Sequence, residues 1–425
     1  MLTFWLNQPI SIRLTLIVLV GLLVAALANW AIYTLAFFPR PISPWGAAPA
    51  GVARRTWLDR LPVVGWLRLR REAEVHGRGF WVRPLLIELL VPLVLVSYYG
   101  FLSEDWGVID PFLADQAKTI PLEKLRIDRW MNFLFLCHVP LLGLMIAATF
   151  IDFDEQTVPD WITVPGTILG LVLASFGLQL FLPFPFYTSD GIIIRPTLLN
   201  APAAPNPDWL GPAGLWLAWG LYSAWCFALA DRRLILRRGL SKAVQYFFAG
   251  LVRYSTWKLL LTIWLVGLAG IWAIHNWGGD HWRGLLTSLM GMAIGGGSVW
   301  AVRLVAGVAM RQEAMGFGDV TLMAMIGAFV GWQASLLAFV LAPMTAILIV
   351  LVQFVLTRNR VTAFGPYLCA GTIVTILAWT TLWNEFGETA FGLGAILPAL
   401  LITLLILMGA MLAIWRAIKE AILSR

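Results

Sequence analysis

Two carboxylates in this chain stand where an apolar segment meets polar residues, and both have the chemistry of an acid or a base. Asp152 directly follows one apolar run, and Asp319 closes the stretch EAMGFGD at 313–319. An ionisable group at such a position in a membrane chain is costly and is therefore usually paired or functional. Gly316 and Gly318 lack the Cβ atoms that would keep another backbone away from Asp319. These two stretches are the first candidates for a functional site.

Two aspartates held side by side share one proton, because their like charges oppose the ionisation of both. The ionised carboxylate can take a proton from water, while the protonated carboxyl donates a hydrogen bond to a scissile carbonyl. This is the chemistry of an aspartic protease, which needs neither a metal ion nor a covalent intermediate. A transporter that relays protons or cations through carboxylates would use the same residue types. The two aspartates alone leave both activities open.

The other charged residues near these stretches have simpler explanations. Solvation or helix capping is expected for three acidic residues, Asp154, Glu155 and Asp160. Glu88 lies near the start of an apolar helix, where a structural ion pair with Arg83 or with a loop arginine is expected. Arg303 lies about three helical turns before the second motif. It can either neutralise a carboxylate or extend to the membrane interface, and the sequence favours the interface.

Composition identifies the class of protein that must position these groups. The 425 residues are 60% hydrophobic and only 12% charged, which excludes an ordinary soluble domain. Many runs of about 20 apolar residues predict an all-α polytopic integral membrane protein. The formal charge of +7 comes from basic residues in loops, so the positive-inside rule explains it without a nucleic-acid partner. The three cysteines show no CxxC spacing, which argues against a zinc site or a disulfide framework.

The apolar pattern predicts about 11 transmembrane helices. They cover roughly residues 14–38, 84–102, 130–151, 161–182, 209–229, 259–274, 285–310, 320–330, 334–356, 367–382 and 392–414. The first run is too long for a signal peptide and is expected to be a retained helix. The arginine-rich loop at 39–84 and the basic loop at 231–258 are expected in the cytoplasm. This topology has the N-terminus outside and the C-terminus in the cytoplasm, and it assigns Asp152 and Asp319 to the cytoplasmic face.

Three further stretches accompany the two aspartate stretches: DRLPVVGWL at 59–67, RPLLIELL at 83–90 and FGPYL at 364–368. In order and position, these five stretches resemble the motifs of the type IV prepilin peptidases, which are bacterial membrane aspartic proteases. EAMGFGD is similar to the GxGD motif of that family. The family's first-aspartate motif maps its catalytic residue to Asp152 rather than to Asp154 or Asp160. GxGD alone is a weak pattern, but the five motifs together are specific.

The resemblance implies an endopeptidase that removes the short basic leader from prepilin or pseudopilin precursors at the cytoplasmic face of the bacterial inner membrane. Asp152 and Asp319 would form the dyad that activates water. The residues expected to shape this site or bind substrate are Gly316, Gly318, Glu313 and Glu88. Precursor proteins and membrane lipids are the expected partners, and the oligomeric state stays open. Many family members also methylate the new N-terminus with S-adenosylmethionine.

The chain also departs from the family pattern. Residues 70–78 correspond to a loop that typically carries zinc-binding CxxC pairs, yet they contain no cysteine. No metal or other cofactor is therefore expected, and methyl transfer does not follow from the resemblance. His76 is expected to be an ordinary loop residue, because structural zinc needs four ligands.

The resemblance also suggests a division of the chain. Residues 1–102 would form N-terminal helices with the loop at 39–84, and residues 103–425 would form a peptidase core. That core would contain an insertion at about 183–285 and an extra C-terminal helix at 392–415. What these additions do does not follow from the sequence.

Two rival functions belong to other classes. A carboxylate-based transporter predicts inverted repeats and polar residues in mid-membrane, and neither is evident in the sequence. A family-derived protein without activity would have no need of intact aspartates at both motif positions.

Overall fold

Helices form nearly all of the fold in the computed structural model, which describes residues 2–40, 42–49, 51–189, 191–204, 206–229, 255–312, 315–357 and 363–423. The first eight helices are α1 (Leu2–Leu6), α2 (Ile10–Thr34), α3 (Val64–Leu69), α4 (Ala73–His76), α5 (Val82–Tyr99), α6 (Pro111–Thr119), α7 (Pro121–Glu155) and α8 (Asp160–Phe176). They are followed by α9 (Pro212–Ala228), α10 (Ser255–Trp277), α11 (Gly279–Met310), α12 (Phe317–Thr357), α13 (Gly365–Leu377), α14 (Trp379–Leu382), α15 (Glu388–Gly392) and α16 (Ile396–Leu423). Long apolar sequences form helices because the backbone amides must find partners within the segment in hydrocarbon.

Seven of the described helices are long and apolar enough to cross a membrane, with α12 counted as one although its backbone is interrupted at Gly331. The number becomes eight if α13 and the helical stretch Trp379–Gly392, which are bent by 85° relative to each other, form one span. The chain is therefore a multi-pass membrane protein built almost entirely of helices, as the composition indicated. The count of about 11 spans and the orientation in the membrane stay predictions.

Helix α12 is interrupted at Gly331, whose backbone is non-helical (φ 81°, ψ 171°). A Cβ on Gly295 of α11 would lie 2.7 Å from the carbonyl oxygen of Met323 and 3.3 Å from the hydroxyl of Ser335. In one straight helix these two residues would be about 18 Å apart, so they cannot both lie beside Gly295. The chain therefore reverses direction at Gly331. This turn falls where the apolar pattern separates residues 320–330 from residues 334–356.

Small residues bring the central helices into close contact. Gly291 of α11 faces Gly327 of α12, and a Cβ on either residue would overlap the carbonyl oxygen of the other. Gly166 of α8 lies against the side chain of Met325 in the same way. Membrane helices gain little from hydrophobic association, so such close packing is a main source of their attraction. Helix α12 is thus held between α11 and α8.

The all-α prediction missed one element, a small β-hairpin after α8. Strand β1 (Pro183–Thr188) pairs antiparallel with β2 (Gly191–Pro196), with Phe184 opposite Arg195. Phe184 packs against Trp383 at a ring-centroid distance of 5.1 Å, and the Arg195 guanidinium stacks over Phe186 at 4.3 Å. The Trp383 contact comes from a distant part of the chain, so local sequence did not indicate the hairpin.

Ion pairs hold the arginine-rich loop between α2 and α5. Arg55 donates hydrogen bonds of 2.9 and 2.6 Å to the two carboxylate oxygens of Glu72. Arg68 and Arg71 donate bonds of 2.8 and 2.9 Å to the buried carboxylate of Asp59. Burial alone would raise the pKa of Asp59, but a backbone N–H and the two guanidinium groups outweigh it and hold that pKa well below its usual range. The loop is therefore an ordered, charge-linked structure.

Candidate active site

Asp152 lies in the last turn of α7 and is buried. The helix ends there because Gln156 adopts a left-handed conformation (φ 56°) and donates its N–H to the carbonyl of Asp152 at 2.8 Å. The Asp152 carboxylate accepts a 2.9 Å hydrogen bond from the backbone N–H of Gly365. A backbone amide far downstream in the sequence, that of Gly365, therefore orients the side chain of Asp152.

Asp319 lies in the first turn of α12 and is also buried, with 6% of its surface exposed. Its carboxylate accepts a hydrogen bond from the backbone N–H of Gly316 and interacts with the positive charge of Arg303. A Cβ on Gly316 would lie 3.6 Å from the Oδ2 atom of Asp319, which is ordinary contact. Gly316 therefore serves the site through its amide rather than through its lack of a side chain.

The structure brings the two aspartates together. Asp319 interacts with the charge of Asp152, and the thiol of Cys369 interacts with both carboxylates. The two groups come from opposite ends of a long stretch of sequence and meet at one end of the helix bundle. Two buried carboxylates within reach of each other's charge are the arrangement that lets a pair share one proton.

Gly318 connects the two halves of the site. A Cβ on Gly318 would lie 2.8 Å from both the nitrogen and the oxygen of Val158, so this position accepts only glycine without a shift of the backbone. Val158 belongs to the short connection between Asp152 and α8, which begins at Asp160 rather than being capped by it. The start of α12 therefore rests directly on the chain that follows Asp152.

The FGPYL stretch at 364–368 supplies the third side of the site, a role that the sequence analysis did not assign. Helix α13 begins at Gly365, and Pro366 in its first turn favours helix initiation. This geometry directs the Gly365 amide at Asp152, and the phenol of Tyr367 interacts with the same carboxylate. The signal available in the sequence was a glycine followed by proline at a predicted helix start.

Arg303 takes the first of its two predicted roles, an interaction with a carboxylate, and its position relative to the membrane interface stays a prediction. Its Nε donates a 2.9 Å hydrogen bond to the carbonyl of Met315. Its guanidinium lies 5.8 Å from the ring centroid of Phe317 and interacts with the charge of Asp319. Arg303 is thus part of the surroundings of the second aspartate, because α11 folds back beside the start of α12.

Glu88 does not pair with Arg83 or with a described loop arginine, which corrects the expectation of an ion pair. Its carboxylate accepts hydrogen bonds from the indole of Trp66 (2.9 Å), the amide of Asn29 (3.3 Å) and the backbone N–H of Val63. Glu88 thereby fastens the loop that contains α3 to helices α2 and α5. A direct role for it in substrate binding stays a prediction.

The acidic residues just after Asp152 are not simply solvated or capping residues, which is a second correction. Asp154 accepts two hydrogen bonds from Arg83, of 2.8 and 2.9 Å. Glu155 accepts the backbone N–H groups of Phe37 and Phe38 at 2.7 and 2.9 Å. Both carboxylates therefore tie the end of α7 to the neighbouring segments.

Two predictions lie outside the described residues. Glu313, proposed to shape the site, is one of them. The basic loop at 231–258 is the other, since the described chain resumes only at residue 255.

Residues 70–78, which correspond to the zinc-binding loop of the type IV prepilin peptidases, do not provide a set of metal ligands. Across the ranges that the structure describes, no three Cys, His, Asp or Glu side chains lie together as metal ligands. His76 lies 3.5 Å from Glu72, but the carboxylate of Glu72 is already bound by Arg55. The three cysteines are buried elsewhere in the helices.

Known proteins provide an independent comparison. Residues 247–351 match the sequence profile of the type IV leader peptidase family, and this stretch contains Asp319 but neither Asp152 nor residues 364–368. The chain is 32% identical over 96 residues to the prepilin leader peptidase/N-methyltransferase of Escherichia coli strain K12, covering 22% of this chain and 43% of that protein. It is 30% identical over 175 residues to the type 4 prepilin-like proteins leader peptide-processing enzyme of Escherichia coli O78:H11, covering 36% and 63%.

A relative from Myxococcus xanthus, also a prepilin leader peptidase/N-methyltransferase, is 34% identical over 246 residues, covering 58% of this chain and 57% of that protein. The chain thus spans about half the length of the curated relatives it matches. No solved structure matches the chain. The fold defines a multi-pass helical membrane protein. The family profile and the relatives confirm its resemblance to the type IV prepilin peptidases.

Proposed function

We propose that this chain is a membrane aspartic endopeptidase that removes the leader peptide from type IV prepilin-like or pseudopilin precursors. The observation that carries the proposal is the meeting of Asp152 and Asp319 as a buried, charge-coupled pair at one end of the bundle. The names of the relatives support the substrate class. The site would face the cytoplasm in the bacterial inner membrane, because the arginine-rich loop follows the positive-inside rule.

The two aspartates would act on a water molecule held between them. The ionised carboxylate removes a proton from water as its oxygen attacks the scissile carbonyl carbon, and the protonated carboxyl gives its proton to the carbonyl oxygen. Collapse of the tetrahedral intermediate breaks the C–N bond: one of its hydroxyl groups returns a proton to the ionised carboxylate, and the leaving amine takes up the proton held by the other carboxyl. Backbone amides of Gly365 and Gly316 hold the two carboxylates in place for these transfers.

The substrate would approach along the membrane. Its apolar helix would lie alongside the bundle. Its leader would cross the end of the bundle that holds Asp152 and Asp319. In this arrangement residues 103–425 form the peptidase core, with additions at about 183–285 and 392–415. Residues 1–102 contribute the helices and the ion-paired loop beside it.

Leader cleavage in membranes that contain a prepilin substrate tests the proposal. Asp152→Asn and Asp319→Asn should each lower the cleavage rate by at least about 1,000-fold, because residues that act as a unit fail together. Asp115→Asn, which alters an exposed carboxylate in α6, is the matched control and should cleave like the wild type. The mass of the product also reports whether a methyl group is added.

The outcomes separate the rival functions. If both single variants cleave like the wild type, the aspartate dyad is wrong. If the folded wild type leaves every prepilin substrate intact, the protease assignment is wrong, and the carboxylates should be tested as a proton or cation relay.

A further inference from the structure

The C-terminal helix α16 lies parallel to α11, the helix that leads to the second aspartate. Gly409 permits the contact, since a Cβ there would lie 2.6 Å from the Cγ1 atom of Val305. Two turns further along the same face, Arg416 donates a 2.7 Å hydrogen bond to the carbonyl oxygen of Ala309. The residue numbers rise together on both helices, so α16 ends at the same end of the bundle as α11.

The hydrogen bond from Arg416 reaches the C-terminal end of α11, where backbone carbonyls need partners from outside the helix. The last four carbonyls of any α-helix lack an intrahelical partner, and Ala309 lies in the last turn of α11. A guanidinium at this end also complements the negative end of the helix dipole. Directly afterwards, Arg311 adopts a left-handed conformation (φ 54°) that ends the helix. A few residues later the chain enters α12 and reaches Asp319.

Two arginines therefore hold the connection between α11 and α12 at its two described ends. Arg416 binds the carbonyl of Ala309 before the connection, and Arg303 binds the carbonyl of Met315 after it. The Arg416 side chain is only 22% exposed, which distinguishes it from an arginine that extends into solvent. Its charge is directed at the end of α11 and at Glu420, 3.6 Å away.

We propose that Arg416 is a positioning residue: by capping α11 at Ala309, the C-terminal helix holds the connection that delivers Asp319 to the site. This gives α16 a role in the reaction even though none of its residues touches the carboxylates. The catalytic part of this inference rests on the proposed function, whereas the capping of α11 does not.

Steady-state cleavage of a prepilin substrate by the full chain in detergent or nanodiscs tests the catalytic part. Arg416→Gln should lower kcat by about 10- to 100-fold and leave KM unchanged, because misplacing a reacting group slows chemistry without removing substrate contacts. Arg416→Lys should recover most of the rate, since an ammonium can also donate to the carbonyl. Lys419→Gln removes the same charge from the same end of α16 and should have no effect.

Gly409→Val provides a second route to the same result without altering any charge. The added side chain should push α16 away from Val305 and reproduce the loss in kcat. Hydrogen exchange of the amides of residues 309–312, 315 and 316 gives a readout that needs no activity. It should become at least about tenfold faster in Arg416→Gln and in Gly409→Val but not in Lys419→Gln.

Several results would overturn the inference. A normal kcat in Arg416→Gln, a change in KM alone, or an equal loss in Lys419→Gln would each exclude a positioning role for Arg416. Unchanged hydrogen exchange in Arg416→Gln would exclude the cap itself. If the wild type cleaves no substrate while exchange responds as expected, the proposed function fails and the cap stands.

Discussion

Gly365 occupies a position at which a side chain would collide with the first aspartate. A Cβ there would lie 2.6 Å from the Oδ2 atom of Asp152, the same atom that accepts the Gly365 amide at 2.9 Å. The site therefore depends on a residue that carries no reactive group. Its contribution is to let a helix start approach a carboxylate closely enough for a direct hydrogen bond.

Gly365→Ala should lower kcat for leader cleavage by about 100-fold, because the added methyl group displaces the Asp152 carboxylate by a fraction of an ångström or more. Gly297→Ala is the matched control, since nothing lies within 4 Å of a Cβ at that helical position. Cleavage rates and membrane levels of both variants are to be compared with the wild type. A normal rate in Gly365→Ala would show that the carboxylate does not need this close approach.

At this scale the sequence indicated the two aspartates but not what surrounds them. Asp152 and Asp319 stand out because a carboxylate at membrane depth is costly and is usually paired or functional. Asp154 and Glu155 looked like ordinary interfacial residues, yet each binds a partner distant in sequence, Arg83 and the Phe37 amide respectively. Such partners follow from the packing of the helices, which periodicity and local motifs do not specify.

Among the elements, the loop between α2 and α5 derives its order from charge. The Asp59 carboxylate is enclosed by a backbone N–H and two guanidinium groups, and the Arg55–Glu72 pair lies beside it. Once buried, each carboxylate must stay paired, because breaking one pair leaves a buried charge without compensation. The loop therefore has an electrostatic core where a metal site would otherwise be expected from the family resemblance.

The pH dependence of this loop follows from the lowered pKa of Asp59. A group with a depressed folded-state pKa contributes its full stability above the unfolded value of about 3.9 and loses it as the pH falls through the folded value. The protection of the amides of residues 56–72, which is their exchange rate relative to the intrinsic rate at the same pH, should therefore stay high at neutral pH and fall only well below pH 4. In Asp59→Asn, which cannot carry the charge, exchange should already be fast at pH 7.

Glu74→Gln, at an exposed position in the same loop, is the control and should exchange like the wild type throughout. Slow exchange at pH 7 in Asp59→Asn would show that the guanidinium–carboxylate bonds do not order the loop.

The predicted elements agree with the structure where apolar periodicity alone decides them, as in α2 and α5. The predicted elements disagree with the structure where a contact between residues distant in the sequence determines the conformation. The predicted helix at 367–382 is instead bent after Leu377, and the indole of Trp379 binds the carbonyl of Pro183 at 2.6 Å. No local pattern announces a bond between residues so far apart in the chain.

At the scale of the whole molecule, α16 runs along the bundle from one end to the other. It begins close after Phe391, which stacks against Trp383 and thus lies near the β-hairpin. It ends beside α11 at the end of the bundle that holds the aspartates. Thr188, at the tip of the hairpin, and Lys419 should therefore lie on opposite sides of the membrane.

Cysteine labelling tests this orientation, and the background should be low because the three natural cysteines are buried. With a membrane-impermeant maleimide, Thr188→Cys should be labelled from outside the inner membrane. Lys419→Cys should react only after that membrane is opened, since positively charged ends stay in the cytoplasm. Labelling of Lys419→Cys from outside would place the aspartates on the opposite face and exclude cleavage in the cytoplasm.

The turn at Gly331 makes the first part of α12 shorter than the bilayer is thick. The helix over residues 317–330 is about 21 Å long, whereas the hydrocarbon layer of a typical bilayer is about 30 Å thick. The segment that contains Leu198 and Leu199 covers the C-terminal end of this helix. The side chains of Trp332 and Gln333 donate hydrogen bonds to the carbonyls of Leu199 and Leu198 at 2.9 and 2.8 Å. Every residue from Asp319 to Val330 is buried, so protein rather than lipid surrounds this short helix, and the bilayer can keep its ordinary thickness around the site.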